Sequence, residues 1–194
     1  MDISFLAALL TYLVVVAVTP GPNNILAMNA CLNYGMRGSN RLLLGIFSGF
    51  FMVQLLCGAF SILLAAGLPR IMDVLRYVGC GYILWLAYHV ALSRPAESGE
   101  ESGTLSFWKG FGLQFANVKT ILCGLTAFTG YILPQGFSGW QVLAFVLLIT
   151  FIGNGGTFIW AAAGAAFSSF LKRYWRITNF IMALMLVYSA LHLI

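Results

Sequence analysis

Six long apolar runs constrain this chain more than any other feature. They cover about 3–32, 42–67, 71–92, 107–133, 140–170 and 177–194. Some twenty apolar residues in a helix span a hydrocarbon core of about 30 Å. Inside lipid every backbone N–H and C=O must find a partner within the protein, so only helices and closed barrels cross. The runs are continuous and lack the alternation of a barrel strand, which predicts helices. Composition agrees, with 61% hydrophobic and 8% charged residues. Soluble domains carry roughly 45–50% and about 25%. A soluble globular enzyme, a disordered chain and a nucleic-acid binder of the usual basic kind are excluded.

The first run is expected to be retained and not cleaved as a leader. Met1 and Asp2 offer an acid where a secretory signal needs positive charge, and the run continues past two prolines. The only long polar stretch, 93–109, holds Arg94, Pro95, Glu97, Glu100 and Glu101. It reads as a solvated linker between two halves of three spans. An odd number of spans per half sends the second half into the membrane from the opposite side. That is the arrangement of inverted repeats in many transporters. At an offset of 100, Arg76, Leu84, Leu86 and Tyr88 meet Arg176, Leu184, Leu186 and Tyr188. The expected fold is therefore all-α, with six transmembrane helices as two inverted three-helix repeats and the first helix broken at Pro20, Gly21 and Pro22. It forms one membrane domain over 1–194, with repeats at 1–92 and 107–194 and a cytoplasmic linker at 93–106.

The net charge of +5 is then a matter of topology. Arg37, Arg41, Arg94, Lys109, Lys172, Arg173 and Arg176 fall on one side of such a fold, and Arg70 and Arg76 on the other. The positive-inside rule places the first set in the cytoplasm and both termini in the periplasm. A re-entrant first segment would leave five crossings and reverse the N-terminus.

Polar residues inside the spans carry the functional information. Thr19, Pro20, Gly21, Pro22, Asn23 and Asn24 interrupt the first run. Two prolines remove donors and clash with the preceding turn. The helix must stop, leaving free carbonyls before the break and free N–H groups after it. Such backbone at membrane depth is tolerated only against protein or a polar cavity. The restarting helix points a positive dipole end at that cavity, suited to a carboxylate. A simple kink would need one proline. The second cluster is Gln114, Asn117 and Lys119. Lys119 lies ten residues beyond Lys109, roughly 15 Å along a helix and near the midplane. It is expected to face the interior, where it either holds a substrate carboxylate or titrates during transport; a purely structural lysine is the plainer alternative. Counted from the start of each half, the two clusters occupy corresponding places, the best pointer to a transporter site. The third cluster is Gly153, Asn154, Gly155, Gly156 and Thr157. Helix packing is its plainer meaning, with Asn154 a further cavity candidate. Gly45 and Gly49 suit packing too, and the glycine-rich faces are compatible with a homodimer.

Cys31, Cys57, Cys80 and Cys123 have neither metal-ligand nor redox spacing and read as small core residues. No metal, cofactor or nucleic-acid site is expected. His89 and His192 lie near span ends and read as interfacial. No carboxylate lies at a span midplane, so a cationic side chain would lack a counter-charge. Amides, exposed backbone and one amino group suit a small zwitterion with an uncharged side chain. No Walker motif or catalytic constellation appears, so the chain is expected to be neither an ATPase nor an enzyme.

These residues resemble the LysE/RhtB family of bacterial amino-acid exporters. Ala17, Val18, Thr19, Pro20, Gly21, Pro22, Asn23 and Asn24 are similar to its first-span signature, and Phe115, Ala116, Asn117, Val118 and Lys119 to its second-half element. Ser106, Phe107 and Trp108, with Leu113 and Gln114, look like the subgroup that handles cysteine and O-acetylserine. The resemblance implies export of small amino acids across the bacterial inner membrane, driven by proton antiport. With no carboxylate at a span midplane, Lys119 or His89 would have to carry the proton, or the proton would travel with the substrate. Homoserine, threonine and leucine are alternative substrates; a small channel or a non-transporting scaffold is the alternative class.

Overall fold

Apolar runs with no competing turn chemistry propagate as helices, and every described element of the computed structural model is helical. The structure describes residues 3–63, 68–92, 105–137 and 139–191. The polar stretch 93–104 and His192 lie outside them, as do the side chains of Arg70 and Arg76. Helix α1 is Ile3–Val18, α2 is Pro22–Leu63 and α3 is Leu68–Leu92. Then come α4 (Phe107–Ala116) and α5 (Val118–Thr126), whose path continues through a π turn at Ala127–Ile132 and a 3-10 turn at Leu133–Gln135. Helices α6 (Trp140–Ala166), α7 (Ser168–Arg173) and α8 (Trp175–Leu191) complete the chain.

The structure departs from the expected boundaries at three places. The expected loop between the first two spans shrinks to one residue. Gly35, at φ 69° and ψ 173°, turns the chain inside α2, a left-handed φ that glycine adopts without steric cost. The reversal packs Ala27, Ala30 and Cys31 against Leu42, Leu43 and Ile46. The fourth run is not one helix: α4 and the path through α5 meet at Asn117 with a 58° bend. The fifth run stops at Ala166, and α7 stands apart from it.

Among the described residues two helices, Pro22–Ser61 and Trp140–Ala166, are long and apolar enough to cross a membrane, and the bent pair at Asn117, counted as one span, makes a third. Ile3–Val18, Cys80–Leu92 and Trp175–Tyr188 are shorter apolar helices. The surface is that of a protein in lipid. Phe151 is 80% exposed and Trp140 77%, while Gln54 and Gln114 are fully buried. Water would favour the reverse.

Packing directions follow from which residues meet. Phe5 lies on Phe145, Ala17 on Gly156 and Met28 on Gly164. So α1 and the start of α2 run parallel to α6. Tyr12 meets Tyr131 and Asn23 meets Gln114, so the same segment runs antiparallel to α4 and α5. The later part of α2 runs parallel to that pair, with Leu42 at Gly110 and Gly58 at Phe128. Gly45 and Gly110 face each other's helix so closely that a Cβ on either would strike backbone: the Phe107 carbonyl for Gly45, the Leu42 carbonyl for Gly110. Small residues permit such approach, so these glycine faces are engaged within the chain. A peripheral pair, α3 and α8, packs through Ile83, Ala87, Met182 and Leu186, with Ile25 beneath.

Candidate functional site

The site grows out of the first helix break. Helix α1 ends at Val18 and α2 restarts at Pro22, with Pro at the first helical position where it lacks no bond. The carbonyls stranded by the break are accounted for one by one. Asn24 Nδ2 donates to the Ala17 carbonyl at 2.9 Å and to that of Thr19 at 3.0 Å. Trp160 Nε1 donates to the Val18 carbonyl at 3.1 Å. Lys119 Nζ donates to Thr19 O at 2.7 Å and to Pro20 O at 3.2 Å. Four carbonyls that would each cost about 1–3 kcal/mol unpaired are thus held by side chains from α2, α5 and α6. Thr157 fixes Asn24 in turn, its Oγ1 donating to Asn24 Oδ1 at 3.0 Å.

The second break faces the first. Asn117 takes an extended conformation, φ −82° and ψ 91°, between α4 and α5. Asn23 Nδ2 donates to Gln114 Oε1 at 2.7 Å. In return Gln114 Nε2 (3.0 Å) and Asn117 Nδ2 (2.7 Å) donate to Asn23 Oδ1. Asn23, Gln114 and Asn117 are all buried, so the network is rigid and costly to break. Asn117 Oδ1 is buried without a partner among the described residues.

Between the breaks lies a cavity of about 40 Å³, lined among others by Gly21, Pro22, Asn23, Asn24, Asn117, Lys119, Thr120 and Thr157. That volume holds a few waters. The lining includes no acidic side chain. Lys119 reaches the carbonyls only because Gly21 has no side chain: a Cβ there would lie 2.7 Å from Lys119 Cδ and 2.9 Å from Nζ. The arrangement offers acceptors on one wall, an amino group beside them and a helix start below. It can bind opposite charges a short distance apart.

Eight of the nine residues singled out in the sequence meet here. Pro20 contributes its carbonyl, Gly21, Pro22, Asn23, Asn24, Asn117 and Lys119 line the cavity, and Gln114 anchors Asn23. Asn154 does not join them. It donates to the Phe47 carbonyl at 3.3 Å across the contact between α2 and α6, which is the packing role. Its neighbours Gly153 and Thr157 line the cavity instead. His89 also stands elsewhere, on an exposed face with Nδ1 2.9 Å from the Trp85 carbonyl. Sequence reasoning passed over Gln54, whose Nε2 donates to Thr120 O at 3.0 Å beneath the site. A lone glutamine in the apolar run 42–67 was the available signal. Thr120 and Trp160 were missed as well, since a threonine or tryptophan in a span is unexceptional.

Comparison with known proteins places these features. Residues 14–194 match the family model described as LysE type translocator. The chain is 41% identical over 190 residues to the cysteine/O-acetylserine efflux protein of Escherichia coli (strain K12), covering 98% of this chain and 97% of the relative. The protein of that name from Shigella sonnei (strain Ss046) matches with the same identity and coverage. That of Escherichia coli O139:H28 (strain E24377A / ETEC) is 40% identical over the same length. No solved structure matches the chain.

Proposed function

Because the chain belongs to the LysE-type translocator family, we propose that it exports small neutral amino acids, of the cysteine and O-acetylserine kind, across the bacterial inner membrane. The observation that carries this is the meeting of two interrupted helices at a cavity lined by amides and one amino group, beside backbone carbonyls that the first break releases from the helix ladder and that side chains now hold. Discontinuous helices are how transporters bind small polar solutes at membrane depth. Asn23, Asn24 and the helix restart at Gly21 bind the substrate from the first half; Asn117 and Lys119 complete the site from the second. Without an acidic lining, a lysine-like side chain finds no counter-charge.

The proposal includes six crossings in two inverted repeats, 1–92 and 107–194, joined by a cytoplasmic linker. Three facts support it. One break falls in the leading segment of each half, at 19–21 and at 117. The contact of α1 with α6 and that of the later α2 with α4 are both parallel, as exchange of two inverted repeats requires. The shorter helices α3 and α8 pair with each other. Seven bases on the side of the first, third and fifth loops support a cytoplasmic position for that side and periplasmic termini. Transport proceeds by rocking of the halves about the breaks, coupled to proton antiport.

Counterflow in proteoliposomes tests the proposal. Vesicles preloaded with unlabelled cysteine or O-acetylserine should accumulate the labelled amino acid transiently, and lysine should not replace it. An imposed pH gradient should drive accumulation. A channel gives no counterflow, and its absence for every neutral amino acid would overturn the assignment.

A further inference from the structure

Given that the site takes an amino acid, we infer that the carbonyls of Thr19 and Pro20 are the seat of the substrate's α-ammonium, occupied in the empty carrier by Lys119. The substrate enters by displacing the lysine, which turns to the substrate's own carboxylate. The inference rests on the amino-acid reading above and adds which group sits where.

Space is the first reason. Both carbonyls are already taken by Lys119 Nζ, at 2.7 and 3.2 Å, and the free space beside them, about 40 Å³, holds a few waters. Something must leave. Asn23 is held by Gln114 and Asn117, and Asn24 by two carbonyls and Thr157. Lys119 is the one polar lining group on a long flexible stem. Its tail lies over Gly21, in space that any other residue would fill.

Chemistry is the second reason. The lysine amine and an amino acid's α-ammonium are the same group, each with three N–H donors when protonated. Carbonyl acceptors at 2.7 and 3.2 Å from Nζ therefore fit either one. The exchange is charge for charge. It leaves Lys119 paired only when the incoming molecule brings a carboxylate, and an unpaired buried charge is strongly penalised. An amine without a carboxylate strands the lysine. An acid without an amine cannot take the seat. Only a zwitterion satisfies both.

Inhibition of labelled cysteine counterflow tests this, using cysteine, cysteamine and 3-mercaptopropionate under reducing conditions. The wild type should prefer cysteine over either truncated analogue by at least tenfold. In Lys119→Met the seat is empty and no carboxylate partner exists, so cysteamine should match or surpass cysteine. Lys119→Gln, which keeps neutral donors for the carbonyls, should show the same inversion if the methionine variant does not insert. A variant that retains the wild-type preference for cysteine over cysteamine would overturn the inference. So would a wild type that takes 3-mercaptopropionate as well as cysteine. A wild type that recognises none of the three, nor any other neutral amino acid, would instead refute the amino-acid reading itself.

Discussion

Replacing Gly21 by alanine probes the site with one methyl group. The new Cβ would stand 2.7 Å from Lys119 Cδ and 2.9 Å from Nζ. Comfortable carbon contacts lie at about 3.5–4.0 Å, so the lysine tail must retreat by about 1 Å. Its bond to Thr19 O at 2.7 Å has some slack, but that to Pro20 O already measures 3.2 Å and would pass beyond hydrogen-bonding range. The flexible lysine can swing clear of the methyl group, but a substrate ammonium must sit where Nζ now does and forfeits the same bond; at about 1.5–3 kcal/mol for a charged donor, substrate binding weakens roughly ten- to a hundredfold. The methyl group also narrows the seat for an incoming ammonium. Gly21 has no positive φ and the clashing atoms end a flexible chain, so the fold should survive. Counterflow in proteoliposomes should show KM for cysteine raised at least tenfold, with insertion and purification yield unchanged. Gly155→Ala, where a Cβ meets nothing within 4 Å, is the control. Wild-type KM in Gly21→Ala would refute the placement of Lys119 over Gly21.

Two further experiments test the surroundings. Gly155 and Gly156 are neighbours in α6 with opposite expectations: a Cβ on Gly156 would lie 2.6 Å from Ala17 O and 2.9 Å from its Cβ. Gly156→Ala should therefore cost about 1–3 kcal/mol by overpacking and lower Tm in detergent. Gly155→Ala should be neutral or gain up to about 1 kcal/mol from helix propensity. Equal Tm values would contradict the close contact of α1 with α6. Asn23→Ala strands the amides of Gln114 and Asn117, costing about 1–3 kcal/mol. A cycle with Gln114→Ala should show coupling above about 0.5 kcal/mol in thermal unfolding, and additivity would mean that the two breaks do not communicate.

Much of the first break was legible because its chemistry is covalent and local. Two prolines and a glycine forbid a continuous helix wherever they stand, and the two asparagines after them had to find partners. That Lys119 would turn to the protein's interior was legible from its place in an apolar run, and it lines the cavity. The second break was not. Asn117 is flanked by Ala116 and Val118, neither of which stops a helix; tertiary bonds from Asn23 hold the bend. The reversal at Gly35 was hidden for a similar reason. The residues after it, Arg37 to Arg41, are polar enough to look like loop, yet they continue as helix once Gly35 has made the turn. Asn154 and Thr157 lie three residues apart in one polar cluster, and rotation about α6 decides which faces the cavity. That rotation is set by Phe50 and Ala17, which fill the space beside Gly153 and Gly156, and no local pattern encodes it.

The central claim is that the substrate binds where the two breaks meet. Equilibrium binding of labelled cysteine to purified protein tests it most directly, comparing the wild type with Asn24→Ala and Lys119→Ala, each checked for normal insertion. The account predicts saturable binding to the wild type and affinity at least tenfold weaker in both variants. Wild-type affinity in both would place the substrate elsewhere and contradict the account.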